Sequence, residues 1–158
     1  MNRSSKPSAD KVAKRAPAQQ EPRLGMLVKQ AEQAMVRAKS ASLKLVGLTP
    51  AQYVALVELD SQPGITAATL SRACLVTPQA MMVLLKTMEQ QDLITRSPHP
   101  RHANVLELHM TDVGREALQA ARQRVEPIEQ RVFDAFSPRE LAVFRELLLR
   151  FIEAFEQG

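Results

Sequence analysis

The segment TPQAMMVLLKTMEQ, residues 77–90, has two different sides when it is drawn as a helix. One side is an apolar stripe with the spacing of a core-facing helix: Met81, Leu84, Leu85 and Met88. The other side has an amide and an ammonium group at its ends and two apolar side chains between them: Gln79, Met82, Val83 and Lys86. Core packing accounts for the first side. The second side predicts contact with another molecule.

The three histidines form a second group that could do chemistry, because His99 and His102 have the H-x-x-H spacing of a zinc ligand pair. No set of cysteines or carboxylates that could complete such a site is apparent beside them. A zinc site and exposed histidines on a surface hairpin are therefore the two interpretations, and the second is favoured. His109, farther along the chain, is interpreted in the same way.

The sequence has one cysteine, Cys74, so an internal disulfide is excluded. Its neighbours in the segment ACLV are apolar and no basic cluster is adjacent, which favours a buried structural thiol over an oxidant sensor. The sequence also has no glycine-rich phosphate loop, no serine nucleophile elbow and no paired carboxylates in a glycine-bounded pocket. We therefore expect a protein that is not an enzyme and needs no cofactor.

The 158 residues are enough for one globular domain. No apolar run approaches the roughly 18 residues of a membrane span, and no signal-peptide core follows the first charges, so we expect a cytoplasmic protein without a membrane partner. The net charge of +4 is concentrated in residues 1–23, which have six Lys or Arg and two acidic residues. Residues 1–22 have little to bury, which predicts a disordered basic arm, either solvated or in contact with DNA phosphates.

Specific residues mark where the helices begin and end. Apolar positions with a period near 3.6 predict a long first helix over residues 24–46, ended by Gly47. Thr49 before Pro50, with Gln52 three residues later, predicts a capping box at the next helix. The same signal recurs twice, as Thr77 with Pro78 and as Ser137 with Pro138 and Glu140.

Residues 66–110 have the order of a winged helix. A short helix from Thr66 to Ala73 is followed within a few residues by the helix of residues 77–90, as in a helix-turn-helix. The alternation in NVLELHM then predicts a strand, with LITRS as its partner and the polar segment PHPRHA, residues 98–103, as the connection. A helix-turn-helix followed directly by a hairpin indicates a winged helix more specifically than either element alone.

The C-terminal third predicts two more helices, one from residue 111 to about residue 136 that can bend near Pro127. The last helix has a strongly apolar stripe, and all five phenylalanines lie between Phe133 and Phe155. Such a stripe is typical of a homodimer interface, and an intramolecular core is the alternative.

Taken in series, the segments GLTPAQYVAL, LSRACLVTPQAM, QQDLITR and LHMTDVGREAL resemble the MarR (multiple-antibiotic-resistance regulator) family of transcription factors. The implied fold is mainly α with a small two- to three-stranded antiparallel β wing. The implied units are an N-terminal dimerisation helix at residues 23–47, a winged helix-turn-helix at 48–110 with recognition helix 77–90 and wing 93–110, and C-terminal dimerisation helices at 111–158.

The resemblance also implies a function, that of a homodimer which binds double-stranded DNA at a pseudo-palindromic site. Such a protein is usually a repressor, and a small ligand, often an aromatic acid, releases it. The competing hypothesis is a winged-helix module whose Met82 and Val83 surface binds a protein rather than DNA.

By position, the resemblance implies roles for individual residues. Gln79 contacts an adenine edge, Lys86 a phosphate or guanine, and the two apolar residues between them contact thymine methyl groups. Arg101 enters the minor groove from the wing tip. The full implied DNA-binding set is Thr66, Ser71, Arg72, Thr77, Gln79, Met82, Val83, Lys86, Arg96 and Arg101.

Two further sets rest on the resemblance. Met35, Lys44 and Tyr53 are implied to line a ligand pocket, and ordinary core or surface positions are their alternative. The implied dimerisation residues are Leu24, Leu27, Leu141, Phe144, Leu148, Phe151 and Phe155. The sequence departs from the family pattern on the outward side of residues 77–90, where many members have polar or basic residues in place of Met82 and Val83. The turn before the recognition helix also lacks the glycine often found near Leu75. The sequence also departs in the wing, which has His102, Ala103 and Asn104 in place of an aspartate followed by arginines.

Overall fold

The computed structural model of this chain describes residues 23–156. Within this range the elements are, in order, α1 (Leu24–Lys44), α2 (Pro50–Ser61), α3 (Ala67–Ala73), α4 (Pro78–Gln90), β1 (Ile94–His99), β2 (His102–Met110), α5 (Asp112–Asp134) and α6 (Pro138–Glu156). The mainly α fold with a small antiparallel wing is confirmed. The basic arm predicted for residues 1–22 lies outside the described residues.

The helix boundaries are set by the residues that the sequence marks. At α2, Gln52 N donates to Thr49 Oγ1 at 3.2 Å and Thr49 N donates to Gln52 Oε1 at 2.9 Å, so the predicted capping box is formed. Ser137 and Glu140 make the same reciprocal contacts at the start of α6. After α1, Gly47 adopts a φ of +73°, which a helix-ending glycine reaches without strain.

A single apolar core joins the helix-turn-helix to the wing and to α5. Its buried side chains come from α1 to α5 and from both strands, and α6 contributes none. The largest fully buried side chains are Leu43, Leu56, Leu59, Leu70, Met81, Leu85, Met88, Ile94, Leu108, Leu118 and Val125. Burying each of them is favourable by roughly 1.5–3 kcal/mol, so this core fixes how α4 and the wing are presented.

The wing is an antiparallel hairpin with a tighter tip than the sequence predicts. β1 pairs with β2 from Ile94↔Met110 to His99↔His102, with an irregularity next to Pro98. The predicted connection of residues 98–103 therefore shrinks to two residues, because strand pairing extends into it. A short third segment lies on the other side of β2, where Leu108 N donates to Ile65 O at 3.1 Å.

Only the base of the wing belongs to the core. Leu108 is 1% exposed, whereas Leu106, two residues earlier on the same side of β2, is 48% exposed. At the base, Thr111 N donates to Leu93 O at 3.1 Å, and a Cβ added to Gly114 would collide with this same carbonyl oxygen. Gly114 therefore permits the close approach of α5 to the start of β1.

α6 lies outside this core, which contradicts the intramolecular alternative for its apolar stripe. None of its residues is buried, and Ile152 and Phe155 are 50% and 75% exposed.

In the described part of the chain, no single helix has both the length and the hydropathy to cross a membrane. α3 and α4 together pass that test but are bent by 109°.

Candidate nucleic-acid interface

Helices α3 and α4 meet at 109° across a break of residues 74–77. This angle lies within the range of about 90–120° that helix-turn-helix pairs adopt. Each helix is capped by a threonine: Thr69 N donates to Thr66 Oγ1 at 3.3 Å, and Ala80 N donates to Thr77 Oγ1 at 3.2 Å. The caps fix the first turn of each helix and so the directions of the side chains that follow.

The two sides of α4 are separated as the sequence predicts. Met81, Leu85 and Met88 are 0% exposed and pack in the core. The outward side consists of exposed residues at helical spacing: Gln79, Met82, Val83 and Lys86. Because the inward side cannot leave the core without exposing three large apolar groups, the outward side is held toward solvent. The predicted contact surface of α4 therefore exists as one face.

The predicted residues of α3 fall into different environments. Arg72 is exposed, and its Nη2 donates to Thr69 Oγ1 at 3.1 Å, which holds the guanidinium beside the first turn of α3. The Thr66 hydroxyl also bonds to Thr69 Oγ1, at 3.1 Å, so it is engaged within the helix. Ser71 is 3% exposed and its hydroxyl donates to Ala68 O at 2.9 Å. The prediction that the Ser71 side chain contacts DNA was wrong, because the hydroxyl faces the core.

Arg96 in β1, which is predicted to contact DNA, is paired with a carboxylate of the same chain. Its Nε and Nη2 donate to the two carboxylate oxygens of Glu89 at 2.7 and 3.0 Å. Its side chain is 21% exposed, and that of Glu89 is 34% exposed. The guanidinium therefore links the wing to the end of α4, and Glu89 already accepts from two of its nitrogens.

Arg101 is at the tip of the wing, where the sequence predicts it. It is exposed, and its backbone N donates to His99 Nδ1 at 3.0 Å, which closes the two-residue turn. Since the Nδ1 atom accepts this bond, a neutral His99 has its proton on Nε2. Arg101 is therefore exposed at the end of the hairpin.

A carboxylate lies between two of the three histidines, which the sequence pattern did not indicate. Glu107 Oε1 is 3.6 Å from His99 Nε2, and Glu107 Oε2 is 3.3 Å from His109 Nε2. His102 is exposed, with its ring centroid 5.1 Å from that of His99. Among residues 23–156, no group of three His, Cys, Asp or Glu side chains has the geometry to hold a metal ion. His99 and His109 are half-buried, so the expectation that all three histidines are exposed was wrong for these two.

An apolar groove of about 420 Å³ lies between α1 and α5. Its lining residues are Ala34, Met35, Ala38, Lys39, Ile128, Glu129, Arg131, Val132 and Phe133. Of the three residues predicted for a ligand pocket, Met35 lines this groove and Lys44 and Tyr53 do not. At one edge, Lys39 Nζ lies 2.6 Å from Glu129 Oε1.

Tyr53 is half-buried close to that charge pair. Burial raises the pKa of its hydroxyl, the Glu129 carboxylate raises it further, and Lys39 and Arg122 act in the opposite direction. The hydroxyl is therefore neutral at ordinary pH and can donate a hydrogen bond.

Cys74, in the turn between α3 and α4, is half-buried against the core. Burial raises the pKa of its thiol, and the charge of Glu58 adds to the effect. Both influences disfavour the thiolate, which is the reactive form. The thiol is thus in the environment expected of a structural cysteine.

The residues predicted for dimerisation are all accessible in the single chain. Leu24 is 67% exposed, and Leu27, Phe144 and Phe155 are also exposed. Leu141, Leu148 and Phe151 are half-buried along α6. None of these seven residues is therefore buried by the described part of the single chain.

Sequence reasoning missed Glu89 and Glu107, the two carboxylates that organise the wing. No local signal marks Glu89, because its partner Arg96 is on another element. Glu107 and His109 are two residues apart on β2 and so lie on the same side of the strand, a spacing that could have indicated their contact. At Leu75 the sequence lacks the glycine that is often found in this turn. In the structure Leu75 has a φ of +55° and is 92% exposed. A non-glycine residue in this conformation is strained.

Comparison with known proteins agrees with this architecture. Residues 46–103 match the family model described as MarR family. The HTH-type transcriptional repressor Rv2887 of Mycobacterium tuberculosis is 30% identical over 109 residues, which are 69% of this chain and 78% of the relative.

Two solved structures share the fold. The structure of a mutant MarR from E. coli, complexed with operator DNA, has a TM-score of 0.75 at 22% identity and covers 81% of this chain and 92% of its own. The structure of CouR from Rhodococcus jostii, bound to p-coumaroyl-CoA, has a TM-score of 0.73 at 21% identity and covers 80% of this chain and 90% of its own.

The helix-turn-helix, the outward face of α4 and the antiparallel wing define a winged-helix DNA-binding regulator. The chain belongs to the MarR family of transcriptional regulators.

Proposed function

We propose that this protein is a homodimeric repressor that binds a pseudo-palindromic DNA operator in the cytoplasm and is released by a small aromatic acid. The observation that carries the proposal is the outward face of α4, which is held away from the core and bounded by Gln79 and Lys86. A helix presented in this way fits the major groove, and the cations around it fit the phosphates on either side.

The polar residues of the interface have distinct proposed roles. Gln79 pairs with an adenine edge, and Lys86 reaches a phosphate or a guanine. Thr77 and Arg72, at the start of α4 and on α3, hold the DNA backbone. Arg101 enters the minor groove, where narrow A·T segments attract arginine. Thr66 contributes through its helix cap rather than by a side-chain contact with phosphate.

The homodimer is supported by the apolar surface of α6. Large exposed apolar patches are uncommon on monomers, and burial of such a surface is favourable by roughly 25 cal/mol per Å². A second copy related by a twofold axis offers the same surface in return, so one interface covers both. Two copies also provide two copies of α4, which is what an inverted repeat in DNA requires.

The release by a ligand is supported by the groove between α1 and α5. Its volume of about 420 Å³ is in the range of small-molecule sites. Met35 and its apolar neighbours suit an aromatic ring, and Arg131, which also lines the groove, suits a carboxylate, since Lys39 is already paired with Glu129. CouR, which shares the fold, is bound to p-coumaroyl-CoA in its solved structure.

Selection from a random pool of DNA duplexes tests the DNA-binding proposal. The full-length protein is mixed with the pool at moderate salt, and the bound fraction is sequenced after several rounds. We expect enrichment of an inverted repeat with half-site centres about 10 base pairs apart. A folded protein that enriches no sequence contradicts the proposal.

The exposed Met82 and Val83 also favour a second candidate function, in which α4 binds a protein. The two functions differ in their response to salt. Binding dominated by phosphates weakens with a slope of about −0.9 in log K against log salt for each contact, whereas an apolar protein contact does not.

A further inference from the structure

The residues on the outward face of α4 indicate which bases the operator contains, on the basis of the proposed function. We propose that Met82 and Val83 read the C5-methyl groups of thymine, so that the central positions of each half-site are selected for a methyl group in the major groove. The inference rests on the proposed DNA binding and adds a specificity to it.

The exposure of these two side chains follows from the packing of α4. Met82 is 48% exposed and Val83 is 69% exposed, although their sequence neighbour Met81 is 0% exposed. A rotation of the helix that buried them would bring buried residues of the inward side into water. The two apolar groups therefore stay at the surface in the unbound protein, and a partner that covers them gains their burial.

Among the four residues of this face, only the two at its ends have side chains that can form hydrogen bonds. Gln79 is one turn before its centre, and Lys86 is one turn after. The Thr87 hydroxyl nearby donates to Val83 O at 3.2 Å, so it bonds within the helix. Glu89 is paired with Arg96, as described above. The centre of the face therefore contacts DNA through carbon and sulfur atoms.

In the major groove, the C5-methyl group of thymine is the one strongly apolar feature among hydrogen-bond donors and acceptors. An apolar side chain placed over a donor or acceptor removes water without replacing its hydrogen bond, which costs free energy. The same side chain placed over a methyl group buries apolar surface, which is favourable. Met82 and Val83 thus select for thymine and against bases that present only polar groups at this position.

Replacement of thymine by uracil isolates the methyl group, because the two bases pair identically and differ only at C5. The operator obtained by selection is made with uracil at each half-site thymine in turn, and binding is measured at fixed salt. Burial of one methyl group is worth about 0.8 kcal/mol, so we expect about fourfold weaker binding for each contacted position. In the same way, 5-methylcytosine should be bound more tightly than cytosine at a contacted position.

Substitution of the two side chains identifies the protein side of the contact. Val83→Ala and Met82→Ala truncate exposed groups and leave the core intact. Each truncated side chain is proposed to cover one thymine. When that thymine is replaced by uracil, the variant should bind the two operators with similar affinity. Val54→Ala is the matched control, because Val54 is also exposed, at 41%, but is on α2. This control should keep the full difference between thymine and uracil.

Two results would overturn the inference while leaving the proposed function intact. One is an operator that wild-type protein binds equally well with thymine or uracil at every half-site position. The other is a thymine preference that both alanine variants retain in full. A selection that enriches no operator contradicts the proposed function itself, and the inference with it.

Discussion

The guanidinium of Arg96 donates to both carboxylate oxygens of Glu89, at 2.7 and 3.0 Å, and so joins the first strand of the wing to the last turn of α4. Paired donors and acceptors of this kind fix orientation as well as distance. Since α4 and the wing are the two elements proposed to contact DNA, this ion pair adds to the core in fixing the geometry between the major-groove and minor-groove contacts.

Arg96→Ala should weaken operator binding without removing a phosphate contact. We expect the free energy of unfolding to fall by roughly 1–2 kcal/mol, because the pair is half-buried. The salt dependence of binding should keep its wild-type slope. Denaturant titration and binding at several salt concentrations measure the two effects. In the double variant with Glu89→Ala the losses should not add, and additive losses would show that the two residues act separately.

Lys86→Ala and Arg101→Ala should each lower the salt dependence of DNA binding. If each residue neutralises one phosphate in each half-site, the dimer loses two contacts, and the slope of log K against log salt becomes less steep by about 1.8 per variant. Lys29→Ala is the control, because Lys29 is an exposed lysine on α1 that pairs with Glu32 at 3.0 Å. Unchanged affinity and slope in both variants would contradict the proposed docking.

Leu75→Gly should stabilise the fold. Leu75 has a φ of +55° and is 92% exposed, so the substitution relieves backbone strain and loses little packing. The relief of roughly 1–2 kcal/mol is partly offset by the greater freedom of glycine in the unfolded chain, and a net gain of about 0.5–1 kcal/mol is expected. The midpoint of urea unfolding measures it. Leu75→Val, which is β-branched, should shift the midpoint in the opposite direction.

Ile152→Asp should convert the proposed dimer to a monomer. Ile152 is 50% exposed on the apolar stripe of α6, and a carboxylate buried there without a partner is strongly unfavourable. Sedimentation analysis at micromolar concentration measures the mass. Val54→Asp, on the exposed side of α2, is the control and should remain dimeric. Wild-type protein that is already monomeric at this concentration contradicts the homodimer.

The start of α6 should be sensitive to acid through Glu140. Hydrogen bonds from the side chain and then the backbone of Ser137 lower the pKa of this carboxyl below its ordinary value of 4.5. A lowered pKa contributes stability that is present above the unfolded value and is lost as the pH falls through the folded value. NMR titration should find the Glu140 pKa lowered in wild type and raised part of the way toward its ordinary value in Ser137→Ala, because this variant loses the hydroxyl donor and keeps the backbone N–H donor. Identical titration curves would rule out the Ser137 hydroxyl as a cause of the lowered pKa.

Much of the fold follows from the sequence by itself. The caps at Thr49, Thr77 and Ser137, the end of α1 at Gly47 and the two sides of α4 were all predicted, and the structure contains them. Each depends on groups a few residues apart, whose contacts are fixed by the 3.6-residue repeat and by the hydrogen bonds that helix ends leave unpaired.

Other features were decided only by the tertiary structure, because the contacting groups are far apart in the sequence or on facing elements. Ser71 looks like a polar residue for DNA contact but faces the core, since packing determines which side of α3 is inward. Arg96 meets Glu89 only because the wing folds back beside α4. Met35 lines a groove only because α5 returns along α1 after some ninety residues of chain, as the contact between Lys39 and Glu129 illustrates.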